Sequence, residues 1–381
     1  MLGRVSKGAS SARDQTGLSR PALDAPVSRK GRDAAPARSR RSVPAGPLSL
    51  LLAVVLVAAV TAAVAWGSTP IPPGEVWSVV WRRLTGAAPR PGTDDLIVWQ
   101  LRLPRALLAA LVGAGLGLVG TAVQALVRNP LADPYLLGVS NGASLGAVAA
   151  IVLGLGGGGA LGLGLSGAAF AGALATFALV WAVARRGGGF APLRLVLAGV
   201  AIGQFLSGFT SYLVLRAGDE QQTHSVLFWL MGSLSGASWP LLAAPAVTVP
   251  AVWLLLQARA RGLNALLMGD ETAAGLGIDV ARLRRELFAV TSLLTGVLVA
   301  VSGAIAFVAL MVPHACRLVV GGDHRRLLPV SALFGALLLV VVDIVCRTAM
   351  DTQELPVGVV TSLIGAPALL YLLNRRLGSG S

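Results

Sequence analysis

Lysine is almost missing from this 381-residue chain: only Lys7 and Lys30 occur, and none follows residue 30. That excludes a phosphate-cradling G-x-x-x-x-G-K-[ST] loop in the body of the chain, because such a loop needs its lysine to reach the phosphates. Cysteine is nearly as scarce. Cys316 and Cys346 stand alone, make neither a disulfide framework nor a metal site, and read as small buried residues. Three scattered histidines, His224, His314 and His324, supply no metal cluster. No nucleophile–base pair or paired carboxylate set suited to catalysis is visible. Charge is low at 13%, against roughly 25% in soluble proteins. Asp343 is the lone acid well inside an apolar run, which argues against a secondary transporter driven by protons or sodium. Its spacing to Arg347 is (i, i+4), so the two are expected to pair along a helix.

What is present is apolar surface. Hydrophobic residues make up 55% of the chain and mean hydropathy is +0.75. Lipid-length runs fall near 47–66, 105–127, 135–156, 163–184, 193–215, 240–258, 284–302, 306–320, 328–346 and 357–374. A helix needs about 20 apolar residues to cross a bilayer core, so the expected fold is all-α and polytopic, with about ten transmembrane helices. The eighth run is short and follows Gly303. It is expected to be bent or sheltered, since irregular backbone is costly in lipid.

The net charge of +14 is not a nucleic-acid signal. Residues 1–46 carry ten basic and three acidic side chains, lack apolar periodicity, and read as a disordered basic tail ahead of a 47–381 membrane domain. A cleaved signal peptide ending near Ala63-Val-Ala65 is the rival reading, but the charged stretch is too long for it. With the tail inside, 24 basic residues lie in inner segments and 7 in outer ones, so both termini are expected in the cytoplasm. Glycines recur at four-residue spacing, Gly113 and Gly117, Gly138, Gly142 and Gly146, Gly199 and Gly203, as close packing of helices within the chain requires.

Two local patterns carry function. Leu101-Arg-Leu-Pro-Arg105 sets arginines at the mouth of the second span, and Arg128-Asn-Pro-Leu-Ala-Asp-Pro134 breaks the chain where that span ends; each reads as a built turn. Gly269-Asp-Glu-Thr-Ala-Ala-Gly-Leu-Gly277 joins spans six and seven. Its Asp270 and Glu271 suit a helix N-terminus, and Ala273, Ala274 and Leu276 would give a small apolar face. Both a docking knob over about 268–281 and an ordinary amphipathic loop fit that pattern.

Over about residues 48–376 the chain resembles the FecCD-type permeases of ABC importers for iron–siderophores, haem and vitamin B12. The resemblance rests on Arg102-Leu-Pro-Arg105, Gln124, Arg128-Asn-Pro-Leu-Ala-Asp-Pro134, Leu137-Gly138, Gly269-Asp-Glu-Thr-Ala273, Val312-Pro-His314, Arg317, Asp323-His-Arg-Arg-Leu-Leu-Pro329, Glu354-Leu-Pro-Val-Gly358 and Gly365-Ala-Pro367. One stretch departs: Gly303-Ala-Ile-Ala-Phe-Val-Ala309 stands where the family commonly has Gly-Pro-Ile-Gly-Phe-Val-Gly. The resemblance implies a multi-pass permease of type II importer architecture in the bacterial cytoplasmic (inner) membrane. It implies pairing with a second permease, identical or homologous, and with two ATP-binding subunits that hold ATP and magnesium, leaving this chain without a cofactor or catalytic role. It further implies that an extracytoplasmic binding protein delivers cargo, siderophore first, then haem, then cobalamin. Docking of that protein then falls to Arg102, Arg105 and Arg347, which could otherwise anchor helices in lipid headgroups. ATPase coupling falls to Gly269, Asp270, Glu271, Thr272, Ala273, Ala274, Leu276 and Gly277, and a cytoplasmic gate to Asn129 and Leu131.

Overall fold

The computed structural model describes residues 43–67, 69–88, 92–154, 164–185, 191–350 and 353–377. Most of the expected basic tail lies outside them. The described residues form helices joined by turns, without strands. They are α1 (Ala45–Ala65), α2 (Pro73–Leu84), α3 (Thr93–Val127), α4 (Val139–Val152), α5 (Gly164–Arg185), α6 (Pro192–Leu215) and α7 (Glu220–Leu230). There follow α8 (Trp239–Ala258), α9 (Ala260–Leu267), α10 (Asp270–Gly275), α11 (Val280–Ser302), α12 (Val308–Val320), α13 (His324–Thr348) and α14 (Val357–Leu377). Seven of these are long and apolar enough to cross a membrane, and α4, α12 and the Val357–Tyr371 part of α14 are shorter apolar helices. Each of the ten expected spans therefore has an apolar helix, three of them short.

Three expectations change. The second span does not begin at a turn near Leu101–Arg105. One 35-residue helix runs through it, with a π-helical segment at Ile97–Arg102 just before Pro104. A proline inside a helix lacks its N–H and collides with the carbonyl four residues back, and the widened turn relieves that clash. Arg102 and Arg105 consequently sit inside a helix rather than at its mouth. The third span is only α4, because Pro134–Leu137 forms a 3₁₀ turn and Gly138 takes φ +75°. Polar helices outside the spans, α2, α7 and α9, have no counterpart in the apolar runs.

α3 is the hub. Its most apolar stretch is 78% buried, against 17% for that of α1, and it touches α1, α6, α8, α9, α11, α12 and α13. Glycines make the closest approaches. A methyl on Gly113 would overlap the Gly335 carbonyl of α13, one on Gly117 the Ser331 carbonyl, and one on Gly120 the Ala309 backbone of α12. Gly142 and Gly146 of α4 likewise face Gly172 and Ala168 of α5, and Gly138 meets Gly199. The spaced glycines thus serve packing within the chain.

Residues 303–307 are not helical, and their backbone is sheltered by protein. The Ala304 carbonyl lies against Gly232 and Gly358, leaving no room for a methyl on either, and Gly303 lies against the Trp229 carbonyl. Irregular backbone survives at membrane depth only when covered in this way.

Long-range contacts sort the helix termini into two ends. At one end the C-termini of α1 and α13 meet the start of α3. That end also holds Trp66, Trp77, Trp81, Trp99, Trp229 and Trp239, six of the eight tryptophans, as an interfacial belt would. Trp99 and Trp239 pack at a tilt with ring centroids 4.7 Å apart, and the Trp239 indole donates to the Trp99 carbonyl at 2.9 Å. At the other end Val43 N–H donates to the Val319 carbonyl at 3.1 Å, and α9 and α10 join α3, α11 and α13.

Candidate functional site

The arginine end carries a cavity of about 520 Å³ whose lining includes Arg102, Arg105, Arg347, Glu354, Thr69 and Ser235. The fold thus brings together three arginines that are far apart in sequence. None points freely into it. Arg102 is 8% exposed and donates to Val64 and Ala65 carbonyls at 2.9 and 3.3 Å and to the Thr69 carbonyl and hydroxyl at 2.8 and 3.2 Å. Arg105 donates through Nε to Asp343 at 2.9 Å and through one terminal nitrogen to both oxygens of Glu354 at 3.0 and 2.8 Å. Arg347 pairs with Asp343 at 3.1 Å, as the (i, i+4) spacing predicts, and donates to the Ala63 carbonyl at 2.8 Å. The Arg347 Nε–H is not aimed at that carboxylate oxygen, so this contact is electrostatic rather than a hydrogen bond.

Two carboxylates thus answer three guanidinium groups. Asp343 is fully buried and holds two of them, while the Glu354 side chain is 42% exposed and can be exchanged. Arg102 has only neutral oxygens as partners and no carboxylate within 4.0 Å among the described residues. Asp94 acts on the Arg102 charge only from beyond ion-pair distance, and a planar guanidinium is suited to receive a carboxylate through two hydrogen bonds. Sequence reading missed Glu354 as a partner of Arg105, although it stands in a quoted motif, because the pairing spans 249 residues.

The opposite end gathers the residues expected to form a gate and a coupling surface. Gly269 (φ +107°) and Gly277 (φ +78°) bound α10 and permit the turns that flank it. Asp270 receives Arg284 of α11 at 2.7 Å and Arg128 at 3.4 Å on the same oxygen. Glu271, Thr272, Ala274, Leu276 and Gly277 are exposed. Ala273 instead is buried, so the expected small apolar face loses that residue; Leu267 and Met268, 46% and 67% exposed, extend it. Met268 falls at the start of the expected 268–281 segment, whereas Leu267 was missed because it ends α9, a helix the sequence reading did not expect.

Asn129 and Leu131 form a side-chain-capped turn, in which Leu131 N–H donates to the Asn129 side chain at 2.9 Å. Behind it Arg317 donates to Gln124 at 2.6 Å, joining α12 to α3. Asn264 of α9 donates to Asp323 at 2.7 Å and shares 2.7 Å contact with the His324 ring. The Asn264 amide holds the Asp323 carboxyl below the usual carboxylate range, favouring the ionised cap of α13. No group of three or more His, Cys, Asp or Glu suited to a metal occurs among the described residues.

Residues 53–375 match the FecCD transport family. Among curated relatives, the cobalamin import system permease protein BtuC of Halobacterium salinarum is 47% identical over 286 residues, 75% of each chain. The vitamin B12 import system permease protein BtuC of Klebsiella pneumoniae is 40% identical over 334 residues, 87% of this chain and 94% of that one. A solved structure described as an inward-facing conformation of a putative metal-chelate type ABC transporter aligns with TM-score 0.75 at 31% identity. It covers 86% of this chain and 99% of the other.

Proposed function

The chain belongs to the FecCD transport family of ABC-importer permeases, and from that premise we propose that it is the membrane subunit of an ATP-driven importer of cobalamin-class corrinoids. The observation that carries the cargo is the 40–47% identity, over most of the chain, to permeases named for cobalamin or vitamin B12. Cobalamin accordingly displaces siderophore from the first place that motif reading gives it. ATP hydrolysis lies in two partner subunits that contact α10 and the exposed Leu267–Met268 step. A binding protein outside meets the arginine cavity, where its acidic side chains compete with Glu354 for Arg105 and supply Arg102 with the anion it lacks. The Asn129–Leu131 turn closes the cytoplasmic side of a path shared with a second permease.

The test is uptake into proteoliposomes holding the permease, its ATPase and its binding protein. ATP-dependent accumulation of radiolabelled cyanocobalamin is expected. A preference for a ferric siderophore would overturn the cargo, and uptake without the ATPase would overturn the energy source.

Orientation follows from charge. The Asp270 end carries the arginine-rich connections, so it faces the cytoplasm under the positive-inside rule. A reporter fused after Ser381 should read as cytoplasmic in whole cells. An external reading would reverse the assignment of both ends.

A further inference from the structure

We propose that Arg128 is a positioning residue that ties the ATPase-contact helix to the gate: its ion pair with Asp270 carries motion of α10 into the Asn129–Leu131 turn. The proposal rests on the importer reading and adds the residue through which the two inner sites communicate.

Arg128 ends α3 with φ +55° and ψ +37°, a left-handed conformation. Side chains other than glycine and asparagine are disfavoured there, and glycine is the usual residue at a helix end of this shape. A backbone need alone would therefore be met better by glycine. What arginine adds is reach. Its guanidinium lies 3.4 Å from the Asp270 carboxylate, the first residue of α10. Asp270 is in turn fixed by Arg284, whose side chain is only 7% exposed, at 2.7 Å. One carboxylate oxygen thus joins the base of α11, the start of α10 and the residue that opens the gate turn. Asn129 follows directly, with its N–H donating to the Gln124 carbonyl at 3.1 Å and its side chain capping Leu131. A displacement of Asp270 acts through this ion pair on the residue from which the turn departs.

The pair is half-exposed, at 39% and 42%, so its static contribution to stability is small, about 0–1 kcal/mol. Its effect belongs to coupling rather than to folding, and that separates the two roles. Arg128→Gly suits the left-handed backbone and removes the tether, whereas Arg128→Lys keeps the charge.

The assembled importer would be reconstituted with Leu131→Cys as a gate reporter; the native Cys316 and Cys346 are buried and leave a low background. In the Arg128 parent, maleimide labelling at position 131 should differ between the ATP-bound and nucleotide-free states. Arg128→Gly should melt at the parent temperature or above, yet lose that difference. In the importer without the Leu131→Cys reporter, cyanocobalamin moved per ATP hydrolysed should fall by about fivefold or more on Arg128→Gly, the scale of an ordinary coupling energy, and Arg128→Lys should recover part of it. Adding Asp270→Asn to Arg128→Gly should cause no further loss of the labelling difference. If Arg128→Gly keeps the nucleotide-dependent labelling, the tether is refuted. If instead the importer without the reporter transports no cyanocobalamin while labelling at position 131 still responds to ATP in the Arg128 parent, the cargo reading fails and the tether stands on the labelling alone.

Discussion

Replacing Gly120 with leucine is expected to abolish the folded permease, and even Gly120→Ala should lower its melting temperature markedly. The nearest atoms to a new methyl at this position are the carbonyl oxygen, carbonyl carbon and Cα of Ala309. All three belong to backbone, so no side chain can rotate away. Overpacking of a tight interior costs typically about 1–3 kcal/mol, and a clash confined to backbone belongs at the upper end or beyond. The site is also ill placed to yield. Ala309 lies in the first turn of α12, directly after the non-helical 303–307 segment, and displacing it would uncover backbone groups that lipid cannot satisfy. Gly167→Ala in α5 is the control: nothing lies within 4 Å of its new methyl, so helix propensity alone should leave it neutral or stabilised by up to about 1 kcal/mol. Thermal unfolding in detergent, followed by size-exclusion chromatography, separates the two. Equal melting of the Gly120→Ala and Gly167→Ala proteins would mean that the α3–α12 contact is looser than described.

The pairing of Gly120 with Ala309 also shows where a sequence stops being informative. Ten spans are legible because each must present a lipid-length apolar run, and that constraint is local. Small residues at four-residue spacing likewise announce close packing, but Gly113 does not say that its partner is Gly335. The shape of α3 is hidden for a different reason. Pro104 and its flanking arginines look like a helix start, and only the π-helical turn before them lets the helix continue from Thr93. α2, α7 and α9 escape an apolar search because they lie outside the spans and carry polar faces. At the candidate sites, motif residues are recognisable, while their partners are not: Glu354 for Arg105 and Asp270 for Arg128 are long-range facts.

Asp343→Asn is expected to destabilise the permease by about 3–5 kcal/mol, the usual cost of removing one partner from a buried ion pair. Its side chain is 1% exposed and faces Arg105 and Arg347, themselves only 11% and 10% exposed. Losing the carboxylate leaves Arg105 with Glu354 alone and Arg347 with backbone carbonyls and no carboxylate, where water cannot reach them well. That result alone would not tell a structural knot from a docking socket, because both need the pair intact. An apolar replacement of the set, Asp343→Leu with Arg105→Met and Arg347→Leu, does tell them apart. Buried ion pairs replaced by hydrophobic residues of similar volume often fold as well or better, so the triple variant should recover most of the melting temperature that Asp343→Asn loses. If the arginines only hold α3 against α13, the triple variant should also bind its binding protein and import. If they receive carboxylates from outside, it should fold and yet fail to bind, with a Kd at low salt weakened by at least about 30-fold, the lower end for loss of a buried charged contact. The second outcome is the expected one. The cavity gathers Arg102, Arg105, Arg347 and the exchangeable Glu354 at one mouth, and a purely structural knot has no use for a half-exposed carboxylate on its rim. A folded triple variant that binds with unchanged affinity would remove Arg105 and Arg347 from the docking surface and leave Asp343 as the centre of a fold-stabilising cluster alone.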